Sequence, residues 1–431
     1  MKLIYTIIFG VFVALSVGLN AQTTQQDTLK MLMRKVDILT RELEKQRLGG
    51  VSERSYESKF GMGPAASQIY YRSENGATVA GYGEIVYENY ASEKDDNTPG
   101  GKKDQVDYLR NILYVGYKFN DRFLFNAEIE FEHAFVAADG APGEVAIEFG
   151  YIDAMLSPLA TIRAGMVLVP VGIVNELHEP PTFFGTLRPE TERSVIPTTW
   201  RGNGLGVLGS TESGFGYRLF VVEGLNAANY SATGIRGGRQ SGGKAIAEDF
   251  GFTGRVEYVG VPGLNIGASV FTGNSGQGLT DSTGADISAR TTVFSVHGIF
   301  AKKGFELRGL FAQSSIDETE LLNRTLGFSG NSAIGEKQNG FYLTAAYDVL
   351  QLAKSGSEGQ LLPFVQYEKL NTQKEVSAGF SANPKNDITN VTIGLMYRPI
   401  PNIAFKADFL NRKNEAGTGL DQFNLGVTYL F

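Results

Sequence analysis

Asp421-Gln-Phe-Asn-Leu-Gly-Val-Thr-Tyr-Leu-Phe431 decides the fold. In an extended chain Phe423, Leu425, Val427, Tyr429 and Phe431 share one side, and Gln422, Asn424, Gly426 and Thr428 share the other. That is the period of a β-strand. A soluble barrel turns its apolar face inward. Large aromatics alternating up to a terminal Phe suit the inverse arrangement, apolar toward lipid and polar toward water. Arg122–Ala134 repeats the pattern, with Phe123, Phe125, Ala127, Ile129 and Phe131 against Asn126, Glu128, Glu130 and Glu132.

Working outward from these two segments, sixteen strands are expected between Ala77 and Phe431, an even number as single-chain bacterial barrels require. The connections alternate in length. Ser157–Leu159, Val261–Pro262 and Pro399–Pro401 are short, whereas Ala91–Lys103, Val171–Asn203 and Leu225–Glu248 are long. Short periplasmic turns and long outer loops are the asymmetry of an outer-membrane barrel. A propeller would show repeats of roughly forty residues, and none is found. The expected class is therefore all-β, a transmembrane antiparallel β-barrel of about sixteen strands over residues 77–431.

The N-terminal part reads differently. Lys2, the apolar run Leu3–Leu19 and the Leu19-Asn20-Ala21 step predict a signal peptide over residues 1–21. Within 22–48, Leu29, Leu32, Val36, Leu39 and Leu43 alternate steps of three and four, which predicts a short periplasmic coiled-coil helix. Three heptads are marginal alone, so self-association is expected. A linker at 49–76 follows, and its segment Gly61–Tyr71 is expected at the periplasmic opening.

Composition narrows the function. With no Cys, disulfide staples, Cys-ligated zinc and thiol catalysis are excluded. A net charge of −7 argues against nucleic acid as a partner, since phosphate binding needs a concentrated basic face. The expected partners are outer-membrane lipid and small hydrophilic or anionic solutes. The three histidines, His133, His178 and His297, form no metal-ligand spacing, and neither a catalytic centre nor a cofactor is expected. Gly234–Gly243, with Arg236 and Arg239, lacks the strand–loop–helix context of a phosphate loop and reads as a mobile basic outer loop.

Sixteen strands enclose an aqueous channel unless something fills it. Val171–Asn203, VGIVNELHEPPTFFGTLRPETERSVIPTTWRGN, is the natural filler: long, Pro-rich, and bearing the single Trp, Trp200. Folded inward, it brings Glu176, His178, Glu179, Arg188, Glu190, Glu192, Arg193 and Arg201 to a constriction. Charges lining a narrow passage select ions by their field; alternatively, Glu192, Arg193 and Arg201 pin the loop to the wall. Strand parity places Arg163, Arg218, Arg255, Lys406 and Arg412 toward the lumen, with Glu128, Glu130 and Glu132.

Arg163-Ala-Gly-Met-Val-Leu-Val-Pro-Val-Gly, then Glu192-Arg193-Ser194, then Arg201-Gly-Asn-Gly-Leu-Gly-Val resembles the phosphate-selective porin O and P family. It is more similar still to the Bacteroidetes porin branch, through the Asn-Ala-Gln signal end, the short coiled coil and the GxGPAAS segment. The resemblance implies a homotrimeric sixteen-stranded anion channel. The expected function is a passive, loop-constricted diffusion channel for small hydrophilic solutes, leaning toward anions such as phosphate. Its rival is a non-transport outer-membrane barrel acting as adhesin or envelope anchor through the coiled coil, with a closed lumen.

Overall fold

A computed structural model describes residues 34–36, 58–72, 74–134, 143–352 and 359–431. The expected signal peptide and most of the expected coiled coil lie outside these residues; 34–36, taken alone, are a helical turn with exposed side chains.

Residues 76–430 form one closed antiparallel barrel. Its first eight strands are β1 (Gly76–Tyr90), β2 (Gln105–Lys118), β3 (Phe123–Glu132), β4 (Val145–Ser157), β5 (Ala160–Leu168), β6 (Arg201–Ser210), β7 (Phe215–Glu223) and β8 (Phe250–Tyr258). The others are β9 (Leu264–Gly273), β10 (Thr291–Lys302), β11 (Phe305–Ile316), β12 (Lys337–Tyr347), β13 (Gln360–Glu375), β14 (Asp387–Ile400), β15 (Ile403–Asn414) and β16 (Gln422–Leu430). Each pairs with its neighbours in sequence, and β16 closes on β1 in register from Tyr82↔Leu430 to Tyr90↔Gln422. Closure leaves no edge unpaired, as a lipid environment requires.

The apolar residues left exposed define the membrane face. On β16 Phe423, Leu425 and Val427 are exposed, while Gln422, Asn424 and Thr428 are buried. Val79, Leu205, Val256, Ile393 and Phe409 extend this belt around the barrel. At the short-turn end aromatics pair along it, Phe215 with Tyr258 at 4.7 Å between ring centres and Tyr117 with Phe119 at 5.0 Å. Aromatic girdles at the membrane boundary have this make-up.

The hydrophobic core lies inside the barrel. The loop between β5 and β6, L3 (169–200), folds inward and buries Val171, Ile173, Val195, Ile196 and Trp200. Residues 58–72, which include the short helix α1 (Gln68–Tyr71), fill the lumen near the short-turn end with Met62, Ala65, Ala66 and Ile69. The receiving wall is apolar where these segments rest, through Ile112, Tyr114, Phe149, Tyr151 and Phe271. L3 begins two residues earlier than expected and ends sooner, because Arg201 pairs with Leu168 as the first residue of β6.

A charge on the lipid face isolates the role of that belt. Val427→Arg is expected to destabilise the folded barrel by about 2–4 kcal/mol if Val427 lies near the bilayer midplane, read from denaturant unfolding in lipid vesicles. A change below about 1 kcal/mol would place this face outside the hydrocarbon.

Candidate functional site

An irregular loop inside a barrel has backbone groups that no ladder satisfies. L3 resolves this at four anchor points. The first is internal. Glu192, on the single turn α2 (Thr191–Ser194), accepts the N–H groups of Ile173 and Val174, both at 2.7 Å, and the Tyr342 hydroxyl at 2.5 Å. Gly172 makes this approach possible: its φ is +81°, and a Cβ there would sit 2.5 Å from the Glu192 carboxylate. Asn175 adds a second tie, donating to the Val169 and Trp200 carbonyls and accepting from the Trp200 N–H. Trp200 then packs on Phe271 at 4.6 Å.

The second anchor is a buried charge cluster. Glu176 meets Arg218 at 3.0 Å and Arg255 at 3.4 Å, and both arginines also reach Glu257. Arg255 donates in addition to the Gly172 carbonyl. The third is cationic. Lys406 donates to the carbonyls of Pro180 and Gly185 at 2.8 Å, Arg308 to that of Thr182 at 2.9 Å, and Arg398 to that of Pro181. Three wall cations thus satisfy the carbonyls of the Pro-rich bend, Pro180–Thr182 included, where proline leaves few backbone donors.

The fourth anchor joins L3 to β3 and β4. His178 Nε2 lies 3.1 Å from Glu128 Oε1 and 3.5 Å from Glu148 Oε2, and its Nδ1 is 3.0 Å from the Asn175 carbonyl. Arg201 holds the far oxygen of Glu148 at 2.9 Å. Burial opposes a proton on His178, and Glu128 beside it outweighs this, holding the imidazole above its ordinary pKa. No metal set shows in the linear spacing, yet folding assembles one histidine and two glutamates with ligand atoms within 4.8 Å of one another.

L3 also carries the lumenal segment. Glu179 accepts the N–H groups of Ala65 at 3.1 Å and Ala66 at 2.9 Å. A Cβ on Gly63 would overlap that carboxylate, so the glycine permits the contact. Burial pushes Glu179 up to about 7, against the pull of the two N–H donors. On the other side Tyr70 donates to Asp153 at 2.7 Å, and Arg163 binds both, reaching Asp153 at 2.7 Å and the Tyr70 hydroxyl at 2.7 Å. Arg163, expected on the lumen side, is consumed here.

Beside L3 a cavity of about 630 Å³ remains. It runs from the long-loop end between L3 and the inner faces of β13 to β16, β1 and β2, and Arg188, Glu190 and Arg193 line it from L3. Arg412 pairs with Glu190 through both guanidinium nitrogens, one at 3.0 Å. Burial works against charge on Glu190, and this pair outweighs it, keeping the carboxyl below its usual range. Arg110 pairs with Glu84 at 2.8 Å and faces Glu130 at 3.6 Å. Glu132, the last residue of β3, is only partly buried. Asp408 is held by the Thr186 N–H and Asn424, and Glu368 by the Thr191 N–H and Asn390.

Of the eight expected constriction residues, three line the cavity, whereas Glu176, His178, Glu179, Glu192 and Arg201 are anchors. Two contributors lie outside the expected set. Arg236 reaches the cavity from the fourth outer loop. That stretch, expected as a free basic loop, is tied down: Arg239 donates to the Thr199 carbonyl at 2.5 Å, and Gly234 abuts the Ser194 carbonyl. Arg110 lies on the inner face of β2 and was open to the parity argument that placed Arg163.

The closed barrel, outward apolar belt and inward third loop define the architecture of an outer-membrane porin. No protein-family model matches the chain. An uncharacterized protein of Aquifex aeolicus (strain VF5) is 35% identical over 395 residues, which cover 90% of this chain and 87% of that one. The chain belongs to the same family as that protein. Among solved structures it is similar to Salmonella typhi OmpF in complex with daunomycin, at TM-score 0.53 and 16% identity over 83% of this chain and 98% of that one. It is also similar to the anion-selective porin of Comamonas acidovorans, at TM-score 0.53 and 14% identity over 83% and 100%. The trimer form of Vibrio cholerae OmpT gives TM-score 0.51 at 12% identity over 83% and 100%. These three likenesses are of fold.

Glu179→Ala leaves two buried N–H groups without an acceptor, each worth about 1–3 kcal/mol. Backbone hydrogen exchange at Ala65 and Ala66 is expected to accelerate about tenfold or more, with β12–β14 unchanged. Equal exchange in both proteins would show that Glu179 does not hold this segment.

Proposed function

We propose that the protein is a passive diffusion channel of the bacterial outer membrane for small hydrophilic solutes, with a lean toward anions. The observation that carries this reading is the charge layout of the cavity beside L3. Among the described residues Arg188 donates to the Thr199 hydroxyl and, at 3.5 Å, to the His178 carbonyl, and neither it nor Arg193 nor Arg236 has a carboxylate within ion-pair distance. None of the three is thus paired in contact with a carboxylate, and Arg188 acts on Glu128 and Glu148, and Arg193 on Glu190, only through space. Arg398, bound to the Pro181 carbonyl beneath the bend of L3, likewise has no carboxylate within ion-pair distance among the described residues. On the opposite wall Asp408 and Glu368 are satisfied by amide and backbone donors. Segregated charges in a low-dielectric passage create a transverse field and raise the local concentration of the ion they attract.

The resemblance to phosphate-selective porins points the same way, and the Comamonas porin of like fold is anion-selective. Homotrimer assembly belongs to the same proposal, supported by the trimer form of the Vibrio protein of like fold; cross-linking in native membranes reads it.

Purified protein in planar bilayers is expected to conduct in steps, with a reversal potential in a salt gradient displaced toward the anion. Replacing Arg188, Arg193 and Arg236 together by Gln should move that potential toward the cation, while deletion of L3 raises conductance. Folded protein that never conducts would refute the channel. An unmoved reversal potential in the triple variant would refute the role of these arginines.

A further inference from the structure

The anchor between L3 and the β3–β4 wall has a feature that ion pairing leaves unexplained. Glu128 and Glu148 are buried, at 0% and 2% exposed, and among the described residues Oε2 of each has no hydrogen-bond donor. A buried carboxylate oxygen without a donor is costly. A proton on His178 Nε2 points at one acceptor, and Glu128 Oε1 at 3.1 Å is the nearer. That leaves Glu148 Oε2, 3.5 Å from the same nitrogen, and Glu128 Oε2 without a hydrogen bond. The space among the three side chains calls for a positive charge that several oxygens can share.

We propose that Glu128, Glu148 and His178 form a binding site for a divalent transition-metal ion of the zinc class, which ties L3 to β3 and β4. The spacing suits this. Ligand atoms at a metal distance of about 2.0–2.1 Å in a tetrahedron lie about 3.4 Å apart, and the two nitrogen–oxygen separations here are 3.1 and 3.5 Å. All three residues offer ligand atoms within 4.8 Å of one another. One histidine and two carboxylates make a set that imidazole biases toward zinc and its neighbours and away from calcium or magnesium.

The surroundings have the form that metal ligands need. His178 Nδ1 is 3.0 Å from the Asn175 carbonyl, so a proton there leaves the Nε2 lone pair directed at the site. Arg201 fixes Oε1 of Glu148 at 2.9 Å, and the Tyr82 hydroxyl lies 3.4 Å from Oε1 of Glu128. Two carboxylates match the charge of a dication, and Arg201 on Glu148 adds one further positive charge at the edge of the site. The ligands come from β3, β4 and L3, so the ion would close a loop of the chain across the lumen and restrict the movement of L3. Because the site is buried, loading accompanies folding.

The test uses the full chain refolded in detergent with or without zinc, then gel-filtered. Wild type is expected to retain about one zinc per chain and to unfold at a higher temperature than metal-free protein; cobalt(II) in its place should give the visible absorption of a tetrahedral site. Glu148→Gln keeps the shape and His178→Asn removes the nitrogen ligand, and both should lose the ion and the cobalt spectrum. Because either variant could fail to fold, the wild-type comparison with and without zinc stands by itself. Folded wild type with no zinc retained and an unchanged unfolding temperature would overturn the proposal and leave an imidazolium ion pair. Equal retention by the folded variants would overturn it too, as zinc held elsewhere on the surface.

Discussion

The structure depends on satisfying an irregular backbone inside a closed sheet. Strands settle their own polar groups by pairing with both neighbours, but L3 has no ladder and lies away from bulk water. Every anchor of L3 answers that constraint. Glu192 takes two N–H groups of Ile173 and Val174, Asn175 takes the carbonyls where L3 enters and leaves, and Arg308, Arg398 and Lys406 take the carbonyls at the proline bend. Several wall charges of this barrel, Arg255, Arg308 and Arg398 among them, are spent on the backbone of L3.

The same constraint separates holding from selecting. A charge buried against a partner contributes little to the field of the passage, and removing one member of such a pair costs about 3–5 kcal/mol. Glu176 with Arg218 and Arg255, or Arg163 with Asp153, belong to this group. Arg188, Arg193 and Arg236 border open volume instead. Mutating the first group tests stability and mutating the second tests permeation, although all stand in one lumen.

Legibility in the sequence follows the same division. Period-two alternation is local, so the Phe423–Phe431 face and the sixteen strands could be read directly, as could the location of L3 from its length. Side-chain roles within L3 could not, because an aperiodic loop has no face. Glu192 and Arg193 are adjacent, yet one is fully buried in the loop and the other lines the cavity. Arg236 was hidden for another reason: its place depends on the fourth loop folding over Ser194 and Thr199, a long-range contact with no local pattern. The Gly61–Tyr71 segment is expected at the periplasmic opening from its place before the first strand, but its partner Glu179 lies over a hundred residues away.

The strands and the lumen filling are held by different contacts. L3 contacts the residue 58–72 segment through Glu179 and the β3–β4 wall through His178, two neighbouring residues facing different partners. Anything that alters charge at one must be felt at the other, since they share a backbone and a buried, low-dielectric setting. The strands need not move, because their ladders are complete without L3. The barrel is thus a frame complete in itself, and the width of the cavity beside L3 is set by a loop whose position rests on buried hydrogen bonds and ion pairs.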